Sequence, residues 1–187
     1  MRRPTRGGAE LIDTERTESG LFDLDPDIEK AKKTAFQLLE RRAYTRSEIV
    51  GKLIGRGFAQ SVVDEAAASL ERVGLIDDAD FAARFIQDRM RLRPSGHAAL
   101  RRDLRRRGVE PDLIEAALEE AFKDVDLEAV AFRLLCGRRS RYLHVERAKA
   151  LNRMYGFLGR RGFPSDVARS AAFRALDEMS GDTTNLD

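Results

Sequence analysis

Arginine is the residue type through which this sequence could do chemistry. Residues 84–107 carry nine arginines and two aspartates, and residues 138–161 carry seven arginines, one lysine and one glutamate. Because guanidinium groups bind phosphate and carboxylate through paired hydrogen bonds, such density predicts contact with nucleic acid or with an acidic protein surface. The candidate contact residues, chosen from charge alone, are Lys52, Arg89, Arg91, Arg93, Arg101, Arg105, Arg138, Arg139 and Arg141.

Acidic segments alternate with these basic segments along the chain. Residues 110–128 have a net charge of −7 and residues 64–80 a net charge of −5, whereas residues 41–56 have a net charge of +4. The total of +2 hides this alternation. A protein with such polarity is suited to a partner of mixed charge, with its basic faces toward phosphate or acidic protein.

Helix ends account for some of the arginines, because cations stabilise helix C-termini. This explanation covers Arg56, Arg107 and Arg161, each of which directly precedes a glycine. It does not cover the cluster of Arg89, Arg91 and Arg93, which continues into a second basic segment after Pro94. We therefore interpret that cluster as a contact surface.

Side chains suited to catalysis or metal binding are sparse. His97 and His144 lie far apart and lack the ligand spacing of a zinc site, and Cys136 has no histidine near it in sequence. The sequence contains no glycine-rich phosphate loop and no nucleophile elbow. Asp77 and Asp78 could form a carboxylate pair, but helix capping explains their position better. We expect no enzyme, no cofactor and no metal.

The elements that must position the arginines repeat three times. Gly57, Gly108 and Gly162 each follow a leucine by four residues and precede an apolar residue, the pattern of a helix that stops at a left-handed glycine. Gly74 marks a fourth stop of the same design. The leucines are Leu53, Leu104 and Leu158, and the apolar residues are Phe58, Val109 and Phe163.

Each stop lies inside a predicted unit of three helices. A first helix carries an Ala-Phe-x-Leu-Leu frame, a second ends at the glycine, and a third carries an apolar stripe of helical period. Thr45 begins a capping box, and Asp77 and Asp78 are predicted caps of the next unit. The prediction is an all-α protein of three tandem three-helix repeats in an elongated, curved array. The repeats are 27–76, 77–124 and 125–179, between disordered tails at 1–26 and 180–187.

The cysteine content and the lack of long apolar runs indicate the cellular compartment. A single cysteine indicates a reducing environment, and no apolar run is long enough to span a bilayer. We expect a soluble, monomeric, cytoplasmic protein.

Three stretches of the chain match a known pattern: residues 71–85 (Glu-Arg-Val-Gly-Leu-Ile-Asp-Asp-Ala-Asp-Phe-Ala-Ala-Arg-Phe), residues 42–53 with the following Gly57-Phe58, and residues 100–109. Together they resemble the RecX family, bacterial regulators of the RecA recombinase. The resemblance extends over residues 30–178, and the third repeat, which lacks the Thr-x-x-Glu box, matches more loosely.

The resemblance implies a protein that binds RecA and the RecA–single-stranded DNA filament in its helical groove. Such a protein blocks filament extension or promotes disassembly, and so lowers ATP hydrolysis, strand exchange and co-protease activity in recombination, DNA repair and the SOS response. Weak binding to free DNA would accompany this role. The alternative is a helix-turn-helix DNA-binding protein, because helix–glycine–helix is also that motif's outline. Against it, the predicted third helices begin with acidic or bland residues rather than with side chains that read bases.

Overall fold

The computed structural model describes residues 26–181, and this part of the chain contains nine α-helices and no strand. The predicted tails fall almost entirely outside the described residues, except that α1 begins at Pro26 and α9 continues to Gly181. No helix between residues 26 and 181 combines the length and the apolar character that crossing a bilayer requires. The helices are α1 (Pro26–Leu39), α2 (Arg46–Ile54), α3 (Gln60–Arg72), α4 (Asp78–Leu92), α5 (His97–Arg106), α6 (Pro111–Phe122), α7 (Leu127–Cys136), α8 (Arg147–Arg160) and α9 (Ser165–Gly181).

The nine helices form three successive groups, each with its own apolar core. In every group the first and second helices pack against the third. Three alanines of the repeated first-helix frame, Ala35, Ala82 and Ala131, are completely buried at the centres of the three cores. Their small side chains let the helices approach closely. The all-α class and the organisation in three-helix units, both predicted from the sequence, are confirmed.

The four stop glycines share one backbone geometry. Gly57, Gly74, Gly108 and Gly162 have φ values of 90°, 71°, 77° and 76°, the left-handed region that a side chain disfavours. At Gly108, the glycine N–H donates to the carbonyl of Arg105, and the next N–H, that of Val109, donates to the carbonyl of Leu104. The other three stops repeat this pair of bonds, which defines the Schellman motif. Residues close in sequence therefore determine where each of these four helices ends.

Two of the three predicted caps act on their own helices. The Thr45 hydroxyl accepts from the backbone N–H of Glu48 at 3.1 Å, and the Glu48 carboxylate accepts in return from the Thr45 N–H at 3.3 Å. The Asp77 carboxylate accepts from the first turn of α4. Asp78 differs from the prediction, because it is already the first residue of α4. Its carboxylate accepts from the backbone N–H of Arg46 at 2.8 Å, and so satisfies a free N–H at the start of α2 in the preceding repeat.

Consecutive repeats are joined through their second helices. The carbonyl of Arg107, which directly follows α5, accepts from the hydroxyl of Thr45, the N-cap of α2, at 2.6 Å. At the next joint, the carbonyl of Arg161 after α8 accepts from the N–H of Gly96, the N-cap of α5, at 2.8 Å. The negative end of each helix dipole thus meets the positive end of the next. We call this end-to-end arrangement of α8, α5 and α2 the second-helix series.

Glycine at both joints also permits a close approach of the backbones. A Cβ atom added to Gly108 would lie 2.3 Å from the Cβ and Oγ atoms of Ser47, and one added to Gly162 would lie 2.2 Å from the backbone nitrogen of Ala99. A Cβ atom on Gly57, in contrast, would have no neighbour within 4 Å. Gly108 and Gly162 therefore have two structural roles, as helix stop and as contact point, whereas Gly57 has one.

Candidate nucleic-acid interface

Charge is divided between the helices of each repeat. Helix α8 carries four basic residues and no acid, and α5 carries four arginines and one aspartate. Helix α6, which follows α5, carries four acids and no base. Because the second-helix series joins α8 to α5 and α5 to α2, the basic helices follow one another without an acidic helix between them in the series. This series is the structural basis of the candidate interface.

Three of the predicted contact residues in the second repeat form ion pairs within the protein. Arg89 on α4 donates to Asp103 on α5 at 2.9 Å, and its guanidinium also lies 5.3 Å from the Phe85 ring centroid. Arg91 pairs with Asp88 on the surface of α4 at 3.3 Å. A phosphate ligand would have to displace these carboxylates, so Arg89 and Arg91 are less available than their density in the sequence indicates.

Arg101 is the most strongly paired of the predicted residues. Its guanidinium donates two hydrogen bonds to the carboxylate of Glu115 on α6, both at 2.5 Å. The hydrogen bond from Arg101 lowers the pKa of the exposed Glu115 carboxyl below its usual value, and it raises the pKa of Arg101. This bidentate pair occupies one of the two edges through which the guanidinium could bind phosphate by paired hydrogen bonds.

Three of the predicted contact residues in the first two repeats are accessible cations, namely Lys52, Arg93 and Arg105. Arg93 and Arg105 are exposed, and neither forms an ion pair within residues 26–181. Lys52 is exposed on α2, with its amino group 5.2 Å from the ring centroid of Tyr44. Arg42 lies closer to that ring, at 3.6 Å, so cations already cover the aromatic face. Tyr44 is therefore not an open platform for a stacked base.

The arginines before the joint glycines are structural residues. Arg107 donates to Glu48 at 3.0 Å, and its guanidinium lies within 5.5 Å of the ring centroids of Phe81 and Phe85. Arg161 donates to the carbonyl of Pro94 at 2.8 Å. Burial lowers the pKa of Arg161, and repulsion from nearby arginines acts in the same direction. Both side chains were assigned to helix ends from the sequence, and the structure adds the contacts between repeats.

The third repeat brings four arginines around one open pocket. Arg138 and Arg141, both predicted contact residues, precede α8, and Arg153 and Arg160 project from α8 itself. The sequence prediction missed Arg153 and Arg160, although their seven-residue spacing places them on one face of a helix. Arg139, the third candidate in this segment, is half-buried in a short 3₁₀ turn and does not line the pocket. We call the site lined by Arg138, Arg141, Tyr142, Arg153, Phe157 and Arg160 the arginine pocket.

Residues with catalytic potential are separated from one another. The half-buried ring of His97 packs on Phe122 with a centroid distance of 4.0 Å, and burial lowers its pKa. Burial also raises the pKa of the Cys136 thiol, which disfavours the reactive thiolate. Among residues 26–181, no three side chains of His, Cys, Asp or Glu are grouped so that they could hold a metal ion.

Two crystal structures of RecX proteins have the same fold as this chain. The crystal structure of RecX from Lactobacillus salivarius aligns with 82% of this chain and 99% of its own, with a TM-score of 0.73 and 22% identity. A second crystal structure, of "regulatory protein RecX", aligns with 81% of this chain and 72% of its own, with a TM-score of 0.70 and 24% identity. At this identity the likeness establishes the fold.

Sequence comparisons extend the likeness to most of the chain. A family model described as the first three-helix domain of RecX matches residues 31–70, and a model of its second three-helix domain matches residues 77–118. "Regulatory protein RecX" of Amycolatopsis mediterranei is 32% identical over 88% of this chain and 95% of its own. The protein of the same name from Streptomyces coelicolor is 33% identical over 96% of this chain and 94% of its own. The chain belongs to the RecX family.

Proposed function

We propose that this chain is a non-enzymatic regulator of the RecA recombinase. It binds RecA and the RecA–single-stranded DNA filament in the filament's helical groove, and it mostly inhibits ATP hydrolysis, strand exchange and co-protease activity. In this role it acts as a monomer in the cytoplasm, in recombination, DNA repair and the SOS response. It requires no cofactor, and it binds free DNA weakly.

The observation that carries this proposal is the match, over nearly the whole length, to proteins named regulatory protein RecX. The charge distribution supports it, because a filament offers both phosphate and mixed protein surface. Basic α5 and α8 are suited to the phosphates, and acidic α6 is suited to basic protein side chains.

The decisive experiment is RecA ATP hydrolysis on single-stranded DNA with this protein titrated in. We expect inhibition at amounts below one protein per RecA, because a regulator that stops filament growth acts on many subunits. An ATPase rate that stays at the level of RecA alone, even with the protein in excess, would contradict the proposal. Electron microscopy of the same mixtures distinguishes shortened filaments from intact filaments with an occupied groove.

The contact surface in the second repeat is tested by reversing its accessible cations. Arg93→Glu and Arg105→Glu are preferable to changes at Arg89 or Arg101, because the latter would also break ion pairs that hold helices together. We expect each variant to weaken filament binding and to reduce its salt dependence. Lys123→Glu is the matched control, since Lys123 is exposed in the acidic 110–128 segment of the same repeat. If all three variants inhibit equally, Arg93 and Arg105 are not contacts.

The helix-turn-helix alternative predicts a different binding preference. It requires a third helix that enters the major groove with its N-terminal residues against the bases. Helix α6 starts with Pro111 and Asp112, and its acids would be repelled by DNA phosphates. Competition between duplexes of different sequence tests this alternative, because sequence-dependent duplex affinity would favour it over the filament regulator.

A further inference from the structure

We propose that the arginine pocket of the third repeat binds the backbone phosphates of a single DNA strand. The choice of a single strand as occupant rests on the proposed function, whereas the choice of phosphate follows from the pocket alone. The pocket is open to solvent and has a volume of about 380 Å³, within the range of roughly 300–1,000 Å³ that is typical of ligand sites.

The lining of the pocket combines four positive charges with no acid. Arg138, Arg141, Arg153 and Arg160 line it together with Tyr142 and Phe157. None of these four arginines forms an ion pair with another residue between 26 and 181, which distinguishes them from Arg89, Arg91 and Arg101 in the second repeat. Four adjacent guanidinium groups repel each other, and an anion between them relieves this repulsion.

One donor of a pocket-lining arginine lacks the hydrogen-bond partner that burial demands. The Nε atom of Arg138 is inaccessible to solvent and has no hydrogen-bond acceptor within the described chain. A buried donor without an acceptor is unfavourable, so such groups usually have a ligand or a water. The guanidinium is held in place by the Phe157 ring, whose centroid is 4.4 Å from its central carbon. Arg138 is therefore positioned before any ligand arrives, which reduces the entropy lost on binding.

The aromatic residues of the pocket indicate that it contacts backbone and not bases. The Phe157 ring has Arg138 at 4.4 Å and Arg161 at 5.0 Å from its centroid, and Tyr142 is almost completely buried. Neither ring offers a free face on which a base could stack. Guanidinium forks match the geometry of phosphate oxygens, so phosphodiester groups fit the lining without reading sequence.

The test measures binding of the full-length protein to a fluorescent single-stranded oligonucleotide at several salt concentrations. Arg153→Gln and Arg160→Gln each remove one exposed pocket cation, and Arg169→Gln removes an exposed cation of α9 outside the pocket. For single strands the slope of log K against log salt changes by about 0.7 per phosphate contact. We expect each pocket variant to bind the oligonucleotide several-fold more weakly and to show a slope that is smaller in magnitude by about 0.7. Arg169→Gln should bind as the unaltered protein does.

Two results would overturn the proposal. One is a pocket variant whose affinity and salt slope equal those of Arg169→Gln, with unchanged circular dichroism to show that it folds. The other is pyrophosphate binding that depends on Arg153 and Arg160 while oligonucleotide binding does not, which would assign the pocket to a free phosphate compound. RecA ATPase is measured separately on the unaltered protein. If that inhibition is absent but the oligonucleotide result holds, the regulatory role fails and the phosphate site stands.

Discussion

Substitution of Gly108 by alanine separates the two roles of a joint glycine. Gly57→Ala is the natural reference, because both glycines have positive φ, 90° at Gly57 and 77° at Gly108. The new Cβ would have no neighbour within 4 Å at position 57, whereas at position 108 it would lie 2.3 Å from the Cβ and Oγ atoms of Ser47. Both variants strain the helix stop, and only Gly108→Ala forces two repeats apart.

The expected magnitudes follow from these two effects. A left-handed alanine costs about 1–2 kcal/mol, and the lower entropy of the unfolded alanine variant offsets about 0.4–1 kcal/mol of it. Gly57→Ala should therefore destabilise by about 1 kcal/mol. Overpacking adds about 1–3 kcal/mol where neighbours cannot move freely. The Ser47 Cβ atom is fixed to the backbone of α2, so Gly108→Ala should destabilise by about 2–4 kcal/mol in all.

Urea unfolding followed by circular dichroism measures both free energies, and Ser47→Gly completes a double-mutant cycle. Ser47→Gly removes the two clashing atoms and leaves the Ser47 Cα atom at an ordinary 3.8 Å from the added Cβ. The double variant should therefore recover most of the difference between Gly108→Ala and Gly57→Ala. Equal losses at positions 57 and 108, or a cycle without coupling, would refute the account of the joint.

Three further predictions concern single side chains. Thr45→Ala removes both an N-cap and the hydrogen bond to Arg107, so it should destabilise the protein by about 2 kcal/mol. Asp126→Ala removes only the cap of α7 and should destabilise it by about 1 kcal/mol. Equal losses of unfolding free energy in urea would contradict this. Burial, followed by repulsion from Glu71, raises the pKa of Asp78, so its contribution to stability falls as pH rises from the ordinary value of 3.8 through the raised value. Asp78→Asn keeps an acceptor for Arg46 and should flatten that part of the stability–pH curve; an unchanged curve would exclude Asp78 as its cause. Burial, followed by Arg101, lowers the pKa of His97, so stability should be complete above the ordinary value of 6.5 and decline as pH falls toward the lowered value. His97→Gln should remove this decline in thermal melts, and a decline that persists would assign it to another group.

The helix stops and caps were predictable because they depend on residues close in sequence. A glycine four residues after a leucine and one before an apolar residue needs little tertiary information, and the hydrogen bonds at Gly108 involve residues within five positions. Asp78 illustrates the limit of this reasoning. Local sequence indicates an aspartate near the start of α4, but its acceptor role at Arg46, 32 residues earlier, depends on how the two repeats meet. The joints themselves were not predictable for the same reason.

The positive charge of the candidate interface was predictable from the sequence, but the arginines that are free to bind a ligand there were not. The segments 84–107 and 138–161 have equal net charge, yet their arginines have different surroundings. In the first segment ion pairs involve Arg84, Arg89, Arg91, Arg101, Arg106 and Arg107. Pairs such as Arg89–Asp103 and Arg101–Glu115 join residues 14 apart, on different helices, so sequence spacing does not reveal them.

Whether an arginine already forms an ion pair affects how much a polyanion can stabilise its complex by binding to that arginine. A phosphate that approaches Arg101 must compete with a carboxylate already held by two hydrogen bonds, so part of the new interaction replaces an old one. A phosphate that enters the arginine pocket displaces no acidic side chain of the described chain. Equal net charge therefore does not mean that the arginines of the two segments are equally available to a polyanion. The third repeat, which is the looser match to the family by sequence, carries this pocket. The hydrogen bond from the Gly96 N–H to the Arg161 carbonyl joins that repeat to the N-terminus of α5.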